Sequence, residues 1–265
     1  LDSVQGKKTS MLARAYVETK NFAKAAQMYA TMKSQGTLSS ADMERYGYAA
    51  ILSGDTVTAV ANFKQAIDAD PTNCTLMFRV GNLLRQRQDY AGAIDVLRKR
   101  LANCNDSLNS TVNYLIGIAF YSAGNVDSAI IALQASIKAD SNSLQPYIQL
   151  GRAYFEGKNA QGAHDILSKA IEMGKRNSEK SKRDIDQAYA LRAANYLDEK
   201  DYTALKKMAT EWVTAFPDSE FGHLYKAIGH QGTNEKDDAC REYKQVLKVN
   251  PNNKPAKQNM DALGC

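Results

Sequence analysis

Small residues return along this chain at a fixed interval, and that period restricts the fold more than any other feature of the sequence. Ala13, Gly47, Gly81, Gly117, Gly151, Ala193 and Ala227 are separated by 34, 34, 36, 34, 42 and 34 positions. Twelve residues after each stands a second slot, filled by Ala25, Ala59, Ala93, Ala129, Ala163, Leu205 and Ala239. Large residues keep fixed places relative to both. Tyr16, Ala50, Leu84, Phe120, Tyr154, Tyr196 and His230 follow the first slot by three, and Tyr29, Phe63, Leu97, Leu133, Leu167, Ala209 and Tyr243 follow the second by four. Self-similarity at such a period is the mark of one supersecondary unit copied in tandem.

Spacings of three and four residues place the slots on helix faces. In GDTVTAVANFKQAIDADP, from Gly54 to Pro71, Ala59, Phe63 and Ala66 share one face. Packed helix axes lie ~8–10 Å apart, and the near end of that range requires Gly or Ala at the crossing. The large residue one turn on is expected to fill the space where the axes diverge. Polar or glycine turns separate the two helical patterns of a unit: Thr19-Lys20-Asn21, Ser53-Gly54-Asp55, Arg87-Gln88-Asp89, Ala123-Gly124-Asn125, Gly157-Lys158-Asn159 and Glu199-Lys200-Asp201. Pro71, Pro217 and Pro251 close three units, and five prolines in 265 residues leave room for long helices. No sustained period-two alternation and no Asn-Gly or Asp-Gly hairpin turn occurs. The chain reads as all-α.

This order of small, aromatic, small and proline positions resembles the tetratricopeptide repeat (TPR) family, over about residues 6–252. The resemblance implies a right-handed α-solenoid of about seven 34-residue helix–turn–helix repeats in one domain over residues 1–265. The repeats fall near 6–39, 40–73, 74–107, 110–143, 144–177, 186–219 and 220–253, with a capping helix at 254–263. The pattern has departures. Ala50 replaces a large residue, Arg100 and Trp212 occupy the third small slot, and Leu205 and Ala209 exchange sizes, a swap that conserves volume. The 36-residue interval puts two extra residues near Leu101-Ala102-Asn103-Cys104-Asn105. The 42-residue interval puts eight around Gly174–Asp184, where Ser181-Lys182-Arg183-Asp184 is expected to cap a lengthened helix. Residue 1 is Leu, so a cut or processed chain is expected, with Leu1–Val4 ending the second helix of a preceding repeat.

Little in the chain points to catalysis. There is no Gly-rich phosphate loop, HExxH or GxSxG. Of three histidines, His164, His223 and His230, the last two lie seven apart on one helix face but in core-type slots, so packing is the reading and no metal is expected. No cofactor is implied. Three sequons, at Asn73, Asn105 and Asn109, are read as incidental in a chain rich in Asn, Ser and Thr. Net charge is +5 on 34 basic and 29 acidic residues, and the one dense basic patch, Lys175 to Arg183, is read as a solvated loop. The inner helix face carries few basic residues, which argues against a nucleic-acid partner. No run approaches the ~20 apolar residues of a membrane span.

Binding is the better case. The resemblance implies that first helices line a concave groove, with contact positions three before and one after the first small slot. Some members of the family clamp chaperone C-terminal carboxylates there with Lys, Asn and Arg, but only Asn82 and Arg152 stand at such positions, and that activity is not implied. What remains is an apolar middle: Tyr48, Phe78, Tyr114, Ile118 and Ile148, joined by Tyr121 and Phe155, with Asn82 and Arg152 to fix a backbone or carboxylate. The alternative is that these residues bury against adjacent first helices. The leading expectation is a non-enzymatic scaffold binding another protein or peptide in this groove. The competing one is a TPR arm of a larger enzyme, such as a glycosyltransferase or peptidase, whose catalytic domain lies outside this chain.

In the repeat register, Cys74 opens the first helix of the third unit and Cys104 follows the end of its second. Cys240 lies early in the last second helix, and Cys265 ends the capping helix packed against it. Four cysteines allow three pairings, and only Cys74–Cys104 with Cys240–Cys265 joins neighbours in that register. Four free thiols are the alternative. Bridges would favour a periplasmic or extracytoplasmic location, since cytosolic thiols stay reduced.

Overall fold

The computed structural model describes residues 4–176 and 178–265, with side chains for residues 6–176 and 181–265. The described residues form fifteen α-helices and no strand, so the fold is all-α. The chain divides into two compact units, Leu1–Ala123 and Gly124–Cys265. The first holds α1 (Val4–Glu18), α2 (Phe22–Ser34), α3 (Ser40–Leu52), α4 (Thr56–Ala69), α5 (Cys74–Gln86), α6 (Tyr90–Asn103) and α7 (Asn109–Ser122). The second holds α8 (Val126–Ala139), α9 (Leu144–Glu156), α10 (Ala160–Lys175), α11 (Ser178–Glu199), α12 (Tyr202–Ala215), α13 (Glu220–Gly232), α14 (Lys236–Val249) and α15 (Lys254–Leu263). Within each unit every helix packs against the next in sequence.

Backbone chemistry sets the turns. Lys20, Gln88, Lys158, Lys200 and Asn234 have φ between 58° and 64°, and Gly54 and Gly124 have φ of 89° and 80°. Each stands seven residues after a first small slot, so the left-handed residue repeats in the same register as the packing. It ends a helix in a Schellman motif. The next amide bonds five residues back, as Asn21 to the Tyr16 carbonyl, Asp89 to Leu84 and Asp201 to Tyr196, at 2.8–2.9 Å. That same residue then opens the following helix. The side chains of Asn21, Asp55, Asp89, Asn159 and Asp201 each accept the amide three residues on, satisfying a donor the helix leaves unpaired. One residue thus closes one helix and caps the next, which makes the turns short.

The small slots are sockets. A Cβ added to Gly47 would lie 2.5 Å from the Phe63 ring, one on Gly81 2.5 Å from Leu97, and one on Gly151 2.5 Å from Leu167. The sequence argument puts the large residue beyond the crossing. In the structure its side chain sits over the glycine itself, because removing the Cβ opens a hole on one helix that a knob from the partner fills. Phe63, Leu97 and Leu167 are accordingly buried.

The irregular residues and the irregular spacers explain one another. Arg100 is buried, and its guanidinium donates to Asp106, to Asn109 Oδ1 at 3.2 Å and to the Cys74 carbonyl at 3.3 Å. Trp212 is also buried; its Nε1 donates to Asp186 Oδ1 at 2.7 Å, and its ring stacks on Tyr189 at 5.1 Å. The eight extra residues lengthen α11 to 22 residues. Ser181 and Asp184 therefore lie inside a helix that begins at Ser178, and they do not cap it. The basic patch is mostly helical for the same reason, Lys175 ending α10 and the patch from Ser178 onward lying in α11; Asn177 is outside the described residues. Val4 opens α1 and does not end an earlier helix, while Leu1–Ser3 lie outside the described residues.

Disulfides join Cys74 to Cys104, with Cα atoms 6.0 Å apart, and Cys240 to Cys265, with Cα atoms 5.8 Å apart. Both spans are ordinary for a bridge. The first ties the start of α5 to the end of α6 beside the Arg100 cluster. The second ties α14 to the residue that follows the Gly264 cap of α15.

Candidate protein-binding surface

In the first unit, α3, α5 and α7 carry six of the residues singled out from the sequence. Tyr48, Phe78, Asn82, Tyr114, Ile118 and Tyr121 are all half-buried. Tyr48 leans its ring edge against Phe63 at 5.0 Å and accepts a hydrogen bond on its hydroxyl from Arg79 Nη1 at 2.9 Å. The Arg79 guanidinium also lies 5.9 Å from the Tyr48 ring centre. Phe78 faces the buried Arg100 guanidinium at the same separation, 5.9 Å. Asn82 is partly engaged: its side-chain oxygen accepts from Arg85 Nη2 at 2.9 Å and Nε at 3.3 Å, leaving the amide N–H2 to offer a partner. Arg79 was not legible as a contributor, since it sits one position past Phe78 and only the α3–α5 pairing brings it over Tyr48.

In the second unit, α9 carries the other three. Arg152 and Phe155 are half-buried, with Lys158 Nζ 5.7 Å from the Phe155 ring. Ile148 is fully buried and belongs to the core with Tyr147, Ala163, Leu167 and Ile185, so it offers no surface to a partner. The cause is the long α11. Gln145 donates to Asp184 at 2.8 Å, and a Cβ on Gly174 would collide with Ile185; the lengthened helix thus lies along α9 and covers it.

Each histidine meets a glutamate, His164 reaching Glu199 at 3.0 Å and His230 reaching Glu235 at 2.5 Å. His223 is buried, with Nδ1 2.6 Å from Glu242 and Nε2 2.8 Å from the Pro217 carbonyl. Lys226 reaches the other oxygen of Glu242 at 2.7 Å. Burial alone would raise the Glu242 pKa, but the hydrogen bonds from Lys226 and His223 outweigh it and hold the carboxyl below its ordinary value. His230, Glu235 and Asp238 converge closely enough to ligate an ion. Their carboxylates are already committed, however, Glu235 to Lys206 at 2.6 Å and Asp238 to Arg241. A cation there would have to displace two side-chain cations.

Comparison with known proteins agrees with this geometry. A family model for the tetratricopeptide repeat matches residues 47–107 and 114–181. Heat shock protein STI1 of Saccharomyces cerevisiae is 29% identical over 117 residues, which cover 44% of this chain and 19% of that protein. Among solved structures, the C-terminal part of a TPR repeat-containing protein from Cytophaga hutchinsonii superposes with a TM-score of 0.58 at 18% identity, over 96% of this chain and 87% of that one. YrrB, described as a TPR protein with an unusual peptide-binding site, gives 0.56 at 14% identity over 75% and 97%. A tetratricopeptide repeat protein from Parabacteroides merdae gives 0.53 at 14% over 98% and 99%. At such identities these structures show the shared fold. Residues 47–107 and 114–181 thus belong to the tetratricopeptide repeat family, and the chain as a whole has that fold. No described helix is long and apolar enough to cross a membrane.

Proposed function

We propose that this chain is a non-enzymatic scaffold that binds a partner polypeptide along the exposed side of its first helices, with Tyr48, Phe78 and Tyr114 as anchors in the first unit. One observation carries the reading: three successive first helices, α3, α5 and α7, each present a half-buried aromatic. A ring held at its base and open on one side loses little freedom when a partner covers it, and such residues contribute disproportionately to binding. Ile118 and Tyr121 extend the surface along α7, and Asn82 supplies an amide donor for a partner's backbone. Arg152 and Phe155 offer the same chemistry on α9, with Arg152 suited to a carboxylate. The TPR fold is in general a protein-interaction scaffold, and YrrB is described as having a peptide-binding site.

The test is quantitative capture of partners by the intact chain and by Phe78→Ala/Tyr114→Ala, with helicity followed by circular dichroism. A loss of capture with unchanged helicity supports the proposal. Normal capture by the double variant contradicts it, and parallel loss of helicity would assign both rings to the core.

A further inference from the structure

We infer that the eight-residue insertion builds a second interaction site, on the other unit, shaped for an acidic polypeptide segment carrying an aromatic or large aliphatic side chain. The site is an open cleft of about 620 Å³ between α11 and α13, lined by Lys182, Arg183, Asp186, Gln187, Ala190, Phe221 and Tyr225. That volume falls within the ~300–1,000 Å³ of ligand clefts.

The floor is aromatic and rigid. Tyr225 stacks on Trp212 at 6.0 Å, and Trp212 stacks in turn on the buried Tyr189. Trp212 is fixed by its hydrogen bond to Asp186, so a bound side chain meets a preformed layer. Phe221, at the rim, is 53% exposed, an unusual position for a ring that could have packed inward.

The charge at the rim comes from the inserted turns. Regular spacing would start this first helix near residue 186, and Lys182 and Arg183 exist on it only because α11 begins at Ser178. Both are exposed, and among the described residues neither pairs with a carboxylate. Among the described residues of α11, Asp186 is engaged by Trp212 and Asp184 by Gln145. Two cations without carboxylate partners, Lys182 with its ammonium 5.7 Å from the Phe216 ring, stand beside an apolar floor and complement a carboxylate next to a ring or aliphatic chain. Within the cleft only these two side chains are basic, and its apolar floor suits a peptide side chain better than a nucleic acid or lipid surface. Of the lining residues only Ala190 falls on a groove position of the family's repeat, and none belongs to the residues proposed above on α3, α5, α7 and α9.

Selection of random phage-displayed peptides on the intact chain tests this. Enriched sequences should place Asp or Glu within a few residues of Phe, Trp, Tyr or Leu. A resynthesised, labelled peptide from that pool should bind about 10-fold or more weakly to Lys182→Glu/Arg183→Glu and to Phe221→Ala, the loss expected of one anchor. It should bind unchanged to Phe78→Ala/Tyr114→Ala, and because the cleft residues changed are exposed, the melting temperatures of their variants should match the parent. The inference is overturned by an absence of enrichment, by enriched sequences lacking acids, or by binding that survives charge reversal or depends instead on Phe78 and Tyr114. It is likewise overturned if phosphatidylglycerol vesicles bind through Lys182 and Arg183 while no peptide does.

Discussion

Both carboxylate oxygens of Asp106 meet Nη2 of Arg100, at 2.7 and 2.9 Å, and the guanidinium they hold is 1% exposed. Arg100 stands where the repeat asks for a small residue, and Asp106 lies just past the two extra residues. A buried cation needs a local counter-charge, and the longer spacer brings one to it. The partners are unequal: Arg100 is buried, whereas Asp106 keeps access to water. Asp106→Ala should therefore lower the urea midpoint more than Arg100→Met, since the first strands a buried charge and the second leaves a carboxylate that water can solvate. The reverse order in urea denaturation would show that the pair is not what holds the spacer.

A second prediction concerns the glycine sockets. Gly81→Ala should destabilise by about 1–3 kcal/mol, because the new Cβ overlaps Leu97. Combining it with Leu97→Ala should give less than the summed loss, with a coupling of about 0.5–3 kcal/mol. Additive losses in a double-mutant cycle would mean the two side chains do not share one space.

These sockets show how much was legible. The small and large slots encode the helix pairs because packing at a crossing depends on residue size, and the Asn and Asp turn residues encode the caps. Besides Arg79, three features were not legible. Ile148 occupies a groove slot by spacing, yet the lengthened α11 buries it, a contact no local pattern carries. Ser181 looks like a cap, but the helix had already started upstream. The exposure of Phe221 was hidden because it depends on where α11 lies relative to α13.

A third prediction follows from Asp42, which is buried on α3 and accepts from Ser39 Oγ at 2.8 Å, Ser10 Oγ at 3.0 Å and Arg45 Nη1 at 3.1 Å, with Arg14 nearby. Burial pushes its pKa up, but the hydrogen bonds from Ser39 and Ser10 and the two arginines outweigh that and hold it below the ordinary value. A depressed folded-state value means the stabilisation is complete above the unfolded carboxylate pKa of about 3.9 and disappears as pH falls through the lower folded value. Asp42→Asn should cost about 1–3 kcal/mol at pH 7 and flatten the acid limb of stability against pH. An unchanged acid limb in denaturation series would remove Asp42 from that role.

The bridges give a fourth. Non-reducing peptide mapping should recover Cys74 linked to Cys104 and Cys240 linked to Cys265, and opening either should cost about 2–4 kcal/mol. Four alkylatable thiols in freshly isolated protein, or a Cys104–Cys240 link, would contradict the pairing.

The central claim is that partners bind on the first helices. Photo-crosslinking tests it most directly, with benzoylphenylalanine placed singly at Tyr114 on α7 and at Val57 on α4, a second-helix position that is 73% exposed. Both lie in the first unit, and Val57 is the more open of the two, so accessibility alone favours the wrong site. The account predicts crosslinks to a polypeptide partner from position 114 and none above background from position 57. Equal or stronger crosslinking from position 57 would contradict it.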